Sequence, residues 1–168
     1  MEPLFSAQTN NTFEEYKRWN YEINKSKLII IGVLYLIIFL LLSFINIIYL
    51  RMDAVFAIIL FMIFMILIFV VFMQAFNSAI KKAYYSNKAL QKCPVITTEF
   101  YNDYLESKNE QHYSKYFYED IYKIVETGTN FYIMPAVNNG IIISKQNCRP
   151  ELILFLQTLK NNVNSSKK

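Results

Sequence analysis

Glycine and proline are scarce, with three and four copies in 168 residues. That excludes glycine-rich phosphate cradles, collagen-like repeats and flexible linkers. Histidine occurs once, at His112, and cysteine twice, at Cys93 and Cys148. Those three residues have no recognised metal-ligand spacing and offer no nucleophile with a base at fixed geometry. Charge is thin as well: charged residues make up 18% of the chain against 54% hydrophobic, too apolar for a disordered protein. No repeat or low-complexity array is visible.

What is abundant is concentrated. Residues 28 to 50 and residues 54 to 76 are two runs of twenty-three residues without a charge. At about 1.5 Å per residue each spans roughly 34 Å, enough to cross a hydrocarbon core of about 30 Å with some tilt. Core helices of a soluble protein are shorter and keep a polar face. We therefore expect an α+β membrane protein with a two-helix transmembrane hairpin. Only Arg51, Met52 and Asp53 separate the runs, so the second helix turns straight back and both chain ends emerge on one side. Lys25, Lys27, Lys81 and Lys82 flank that open side against a single Arg in the tip, which places both termini in the cytoplasm. Trp19, Tyr21, Tyr49, Tyr84 and Tyr85 near the span ends are expected at the membrane interface. Within the runs the polar residues are Ser43, Asn46 and Gln74. With no ionisable group at membrane depth the hairpin reads as an anchor, and Asn46 is expected to bond a partner helix or interfacial water. A disulfide between the two cysteines is formally open, but this topology puts both in a reducing compartment and favours free thiols.

The net charge of +4 has one source. Residues 1–27, the tip and residues 93–168 each balance, so the excess lies in residues 77–92 as Lys81, Lys82, Lys88 and Lys92. We read this basic juxtamembrane segment as a contact for anionic lipid, at about 1 kcal/mol per Lys near the surface. The domain that follows is neutral, which argues against nucleic acid as a partner.

Before the first run, Pro3 to Gln8 reads as an extended strand. Thr12, Phe13, Glu14, Glu15 fits a capping box, and Phe13, Tyr16, Trp19 and Ile23 recur at helical spacing. A short amphipathic helix over residues 13–24 is expected, lying on the membrane surface or on the soluble domain.

From residue 93 to 163 the pattern turns to short β-rich stretches. Strands are expected at Val95 to Tyr101, Tyr104 to Lys108, Gln111 to Phe117, Ile121 to Glu126, Phe131 to Pro135 and Ile141 to Ser144. Asn139-Gly140 is the strongest hairpin signal. Pro150 followed by Leu152, Phe155, Leu156, Leu159 and Val163 predicts an amphipathic closing helix. Glu119 and Asp120 are adjacent and point apart, so they suit a turn better than paired acid and base work. Asp120 is expected to bond a backbone amide there. Seven tyrosines between residues 101 and 132 could form a binding surface or face the core. Phosphoinositide binding is disfavoured, because residues 99–110 hold one Lys and four acids.

A strand meander closed by one helix looks like a pleckstrin-homology-like barrel. The order of Phe5, Thr9, Thr12 and Tyr16, two spans, and a β domain resembles the YcxB-like family of bacterial membrane proteins. Its turn motif is matched by Tyr118, Glu119, Asp120 and Ile121, where Tyr118, Asp120 and Ile121 shape the turn. Its aromatic strand is matched by Phe131, Tyr132 and Ile133, and its isoleucine strand by Ile141, Ile142, Ile143, Ser144 and Lys145, with Ser144 in place of proline. The resemblance implies an architecture, a multi-pass protein of the bacterial plasma membrane, and no activity or cofactor. The sequence is thus read as a non-enzymatic, membrane-anchored module that binds a protein partner. The alternative is an immunity protein whose hairpin meets a secreted toxin or bacteriocin.

Overall fold

The structure, a computed structural model, describes residues 2–49, 53–87, 92, 94–137 and 139–165. It is an α+β fold with two compact units. One joins Met1–Trp19 to Tyr85–Lys168, and the other is Asn20–Tyr84.

The unit Asn20–Tyr84 is built from two long antiparallel helices, α1 (Phe13–Tyr49) and α2 (Ala54–Ser86), each beginning or ending slightly beyond it. Both are long and apolar enough to cross a membrane. The expected helix over residues 13–24 and the first apolar run form one continuous helix, since nothing between Ile23 and Leu28 breaks it: the intervening residues are polar helix-tolerant types without Gly or Pro. Thr12 caps α1, accepting from the Glu15 N–H at 3.3 Å. Only that half of the capping box forms, because the Glu15 carboxylate accepts from Arg18 and Asn130 instead. Asp53 caps α2, its Oδ1 accepting from Val55 and Phe56 N–H at 3.0 and 3.1 Å. The helices meet through Tyr21, whose hydroxyl donates to Asn77 Oδ1 at 2.8 Å and whose ring meets Phe76 edge-on. Further along, Phe39 meets Phe61. The Asn46 amide donates to the Leu42 carbonyl at 2.8 Å, within its own helix. Most other apolar side chains stay exposed, Phe44 at 63% and Phe69 at 60% among them.

The other unit holds two antiparallel sheets. β1 (Phe5–Asn10), β2 (Val95–Phe100), β3 (Tyr104–Lys108) and β4 (Tyr113–Phe117) pair in that order. β5 (Lys123–Glu126), β6 (Asn130–Ala136) and β7 (Asn139–Ser144) form the second sheet. The helix α3 (Pro150–Ser165) lies against β5. Thus the N-terminal strand belongs to the sheet of the later domain, pairing from Phe5↔Phe100 to Asn10↔Val95 across the whole helical insertion. Phe100, Leu105, Ile121, Ile124, Phe131, Ile133, Ile143, Leu152 and Leu156 make the core, each at 1% exposure or less. Burying such side chains contributes about 1.5–3 kcal/mol apiece, and this is what closes the sheets around α3.

Two expectations are corrected here. Asn139-Gly140 does not make the hairpin turn. Ala136 pairs with Asn139, so Gly140 lies inside β7. The glycine is needed for space: a Cβ there would sit 2.6 Å from Trp19 Nε1. Trp19, expected at a membrane interface, is instead buried at 8% exposure, with its ring against Gly140 and Tyr16.

Candidate functional site

The outer face of the four-stranded sheet gathers the aromatic and charged side chains that the core leaves out. Register sets Glu99, Glu106 and Lys115 in a row across β2, β3 and β4. Two carboxylates directly opposite each other are unfavourable, and their neighbours relieve this. Lys108 Nζ lies 2.6 Å from Glu99, and the Tyr101 hydroxyl donates to Glu99 at 3.1 Å. The Tyr113 hydroxyl donates to Glu106 at 2.7 Å. The Lys108 ammonium draws the Glu99 carboxyl below its ordinary range against the opposing effect of burial. Burial, and then the Glu99 carboxylate, push Tyr101 up to about 12. Tyr113 is raised chiefly by Glu106.

Aromatic rings cover this frame. Tyr101 stacks on Tyr104 with centroids 4.6 Å apart, and Tyr104 meets Phe117 edge-on at 6.0 Å. Lys115 Nζ lies 3.5 Å above the Tyr104 centroid and 5.2 Å from that of Phe117. Tyr113, Lys115 and Phe117 alternate with Ser114 and Tyr116 along β4, and the first set is exposed. Tyr116 and Tyr118 pack on the core, and Tyr132 is buried within the unit. The tyrosines therefore divide between the exposed face and the core. The result is an amphipathic surface of exposed rings over paired charges.

The turn residues lie together. Tyr118, Glu119 and Asp120 form a 3-10 turn ahead of fully buried Ile121. Asp120 does not do what its type suggested: its side chain is exposed and makes no hydrogen bond among the described residues. The turn is held by Tyr118, whose N–H donates to the Asp103 carbonyl at 3.0 Å and whose hydroxyl donates to the Tyr101 carbonyl at 2.7 Å. Burial raises the Tyr118 phenol, keeping it a donor. His112 is exposed in the β3–β4 turn, which Asn109 Oδ1 organises by accepting from Gln111 and His112 N–H. Among the described residues no group of His, Cys, Asp or Glu could hold a metal.

Of the basic segment, Lys81 and Lys82 are exposed on α2 and Lys92 is exposed further on. Lys88 and Cys93 lie outside the described residues. Cys148 is a free thiol, raised by burial, with Sγ 3.2 Å from the Ser144 carbonyl.

Sequence reasoning missed Glu126. Its carboxylate accepts from Lys145 at 2.9 Å, Gln157 at 2.9 Å and Lys160 at 2.6 Å, tying α3 to the second sheet. It sits at about 2, well under the usual carboxylate range, because of these three donors, Gln157 foremost. Its partners are 19 to 34 residues away, and no local pattern announces them. Asn130 was missed too: it is buried, its amide donating to Glu15 and to the Tyr132 hydroxyl, so that α1 is joined to β6.

In the long-helix unit an apolar groove of about 600 Å³ runs between α1 and α2, lined by Tyr35, Phe39, Met62, Met65, Phe69 and Met73 among others. No protein-family model, curated protein or solved structure matches the chain.

Proposed function

We propose that the chain is a non-enzymatic binding module anchored in a bacterial plasma membrane, with a pleckstrin-homology-like domain that takes a protein partner. The anchor reading is supported by two long helices whose apolar side chains stay exposed, a surface that water does not tolerate at this extent. Pairing of β1 with β2 supports an even number of crossings between them, because strands on opposite sides of a bilayer could not bond. The resemblance implies a strand meander closed by one helix, and sheets of four and three strands with the terminal helix α3 are compatible with it. Both termini then lie in the cytoplasm, and the lysines of residues 77–92 meet anionic lipid.

The observation that carries partner binding is the exposed aromatic face of β3 and β4. Surface Tyr and Phe held rigid by their neighbours supply contact area at small entropic cost, which is why such residues are enriched at interfaces. A photocrosslinking phenylalanine analogue placed at Tyr113 or Phe117 is expected to give a discrete protein adduct in cells. The same analogue at Leu154, which is 64% exposed on α3, should give none. Equal labelling from all three positions, or none from any, would overturn the reading. The groove between α1 and α2 favours the second reading, an immunity factor whose hairpin meets a toxin. Protection that survives removal of residues 93–168 would select it.

A further inference from the structure

Four strand edges bound the two sheets, and three are covered. β1 lies against β7, where the Ser144 N–H donates to Thr9 Oγ1 at 3.3 Å and the Asn147 amide donates to the Gln8 carbonyl at 2.9 Å. β5 is closed by α3. There Asn164 accepts from the Ile124 N–H at 3.2 Å and donates to the Ile124 carbonyl at 2.9 Å, as a neighbouring strand would. β4 is the fourth edge, and among the described residues no strand pairs with its outer side.

The direction of its backbone groups follows from the ladder. At its two ends Tyr118 N–H donates to the Asp103 carbonyl and Asn109 N–H to the His112 carbonyl. Bonded and non-bonded pairs alternate in an antiparallel ladder, so Leu105/Tyr116 and Ser107/Ser114 are the bonded pairs between β3 and β4. The N–H and C=O groups of Tyr113, Lys115 and Phe117 therefore point away from β3. Tyr113 and Phe117 are 61% and 44% exposed. Open edges are commonly blunted by proline, a bulge or charged side chains, lysine above all. β4 has no proline or bulge, keeping unbroken register over its five residues, and its one charge is Lys115.

We propose that β4 accepts an extended segment of a partner protein as an added antiparallel strand. That segment carries an acidic residue between two apolar ones on the face it shares with Tyr113, Lys115 and Phe117. The inference rests on the binding-module reading and gives its partner a chemistry. Backbone bonds supply the docking and alternate side chains the selection. Lys115 sets the charge. Its opposite neighbour Glu106 is engaged by the Tyr113 hydroxyl, and among the described residues Lys115 makes no ion pair. A carboxylate beside Lys115 on the added strand is a favourable cross-strand pair, and apolar side chains lie beside Tyr113 and Phe117. Lys115 also disfavours a second copy of the chain, because full-length antiparallel pairing of two β4 strands is centred on Lys115 and opposes two ammonium groups.

The test uses the full chain in nanodiscs and three short synthetic peptides. The first alternates threonine with a face of phenylalanine, glutamate and phenylalanine. The second replaces glutamate by lysine, and the third keeps the side chains but is N-methylated along its bonding edge. The first should bind and slow amide exchange at Tyr113, Lys115 and Phe117 at least tenfold. The other two should bind at least tenfold more weakly, and Lys115→Glu should reverse the order of the glutamate and lysine peptides. Absence of binding by the first peptide, equal binding of the first and third, an unchanged order in Lys115→Glu, or self-association that protects the same amides would each overturn the proposal. A crosslinked partner at Tyr113 combined with any of these results would leave the binding-module reading standing and remove the added strand alone.

Discussion

Glu126 is the side chain on which the acid stability of the β unit should turn. Its folded pKa of about 2 lies below its ordinary 4.5 because three donors hold the charged form. A depressed carboxyl stabilises the fold above its unfolded pKa, and that contribution is lost as pH falls from about 5 towards 2. Glu126→Gln should therefore lower stability by on the order of 2 kcal/mol at neutral pH and flatten the acid limb of the stability profile. The single tryptophan, buried beside Gly140, is the reporter for chemical denaturation. Gly140→Ala forces a methyl against that indole and should cost about 1–3 kcal/mol. Adding Trp19→Phe shortens the ring and should recover part of the loss, a coupling read from a double-mutant cycle by circular dichroism. In the turn after β4 the expected and observed roles separate cleanly. Tyr118→Phe should lose about 1 kcal/mol with its hydroxyl bond, while Asp120→Ala should stay within about 0.5 kcal/mol.

At the scale of elements, periodicity carried far. The apolar runs became the two long helices, the stripe from Leu152 to Val163 became the buried face of α3, and β3 spans Tyr104–Lys108 as expected. What failed depended on partners distant in sequence. Gly140 reads locally as a turn residue, yet its role is set by Trp19 over a hundred positions earlier. Asp120 carries a turn propensity that the tyrosine two residues before it makes unnecessary. The aromatic face was legible only as a surplus of tyrosine, since which rings point outward depends on register, and register depends on pairings no window contains. Asn164 is a further case, a polar residue near a helix end that serves as an edge cap for β5. Asn164→Ala should remove both bonds to Ile124 and destabilise the unit by about 1–2 kcal/mol. Hydrogen exchange should show the Ile124 amide released ahead of those in β6.

For the whole molecule, the anchor reading fixes the sidedness of three positions. With the cysteines at 93 and 148 replaced by serine, Ser26→Cys and Ser86→Cys should be labelled from the same side of the membrane by an impermeant maleimide. Asp53→Cys should be labelled only from the other side. Labelling of all three from one side would remove the hairpin from the bilayer. The pairing of β1 with β2 also has a consequence in time. The ribosome releases β1 first, then makes both long helices before the residues of β2 appear. At about 5–20 residues per second the intervening chain takes on the order of ten seconds to synthesise. Throughout that interval the first strand has no mate, and the β unit can assemble only after both long helices have been made. On the proposed anchor, insertion of the helices therefore comes before folding of the β unit, since β1 and β2 can pair only once both helices have been made.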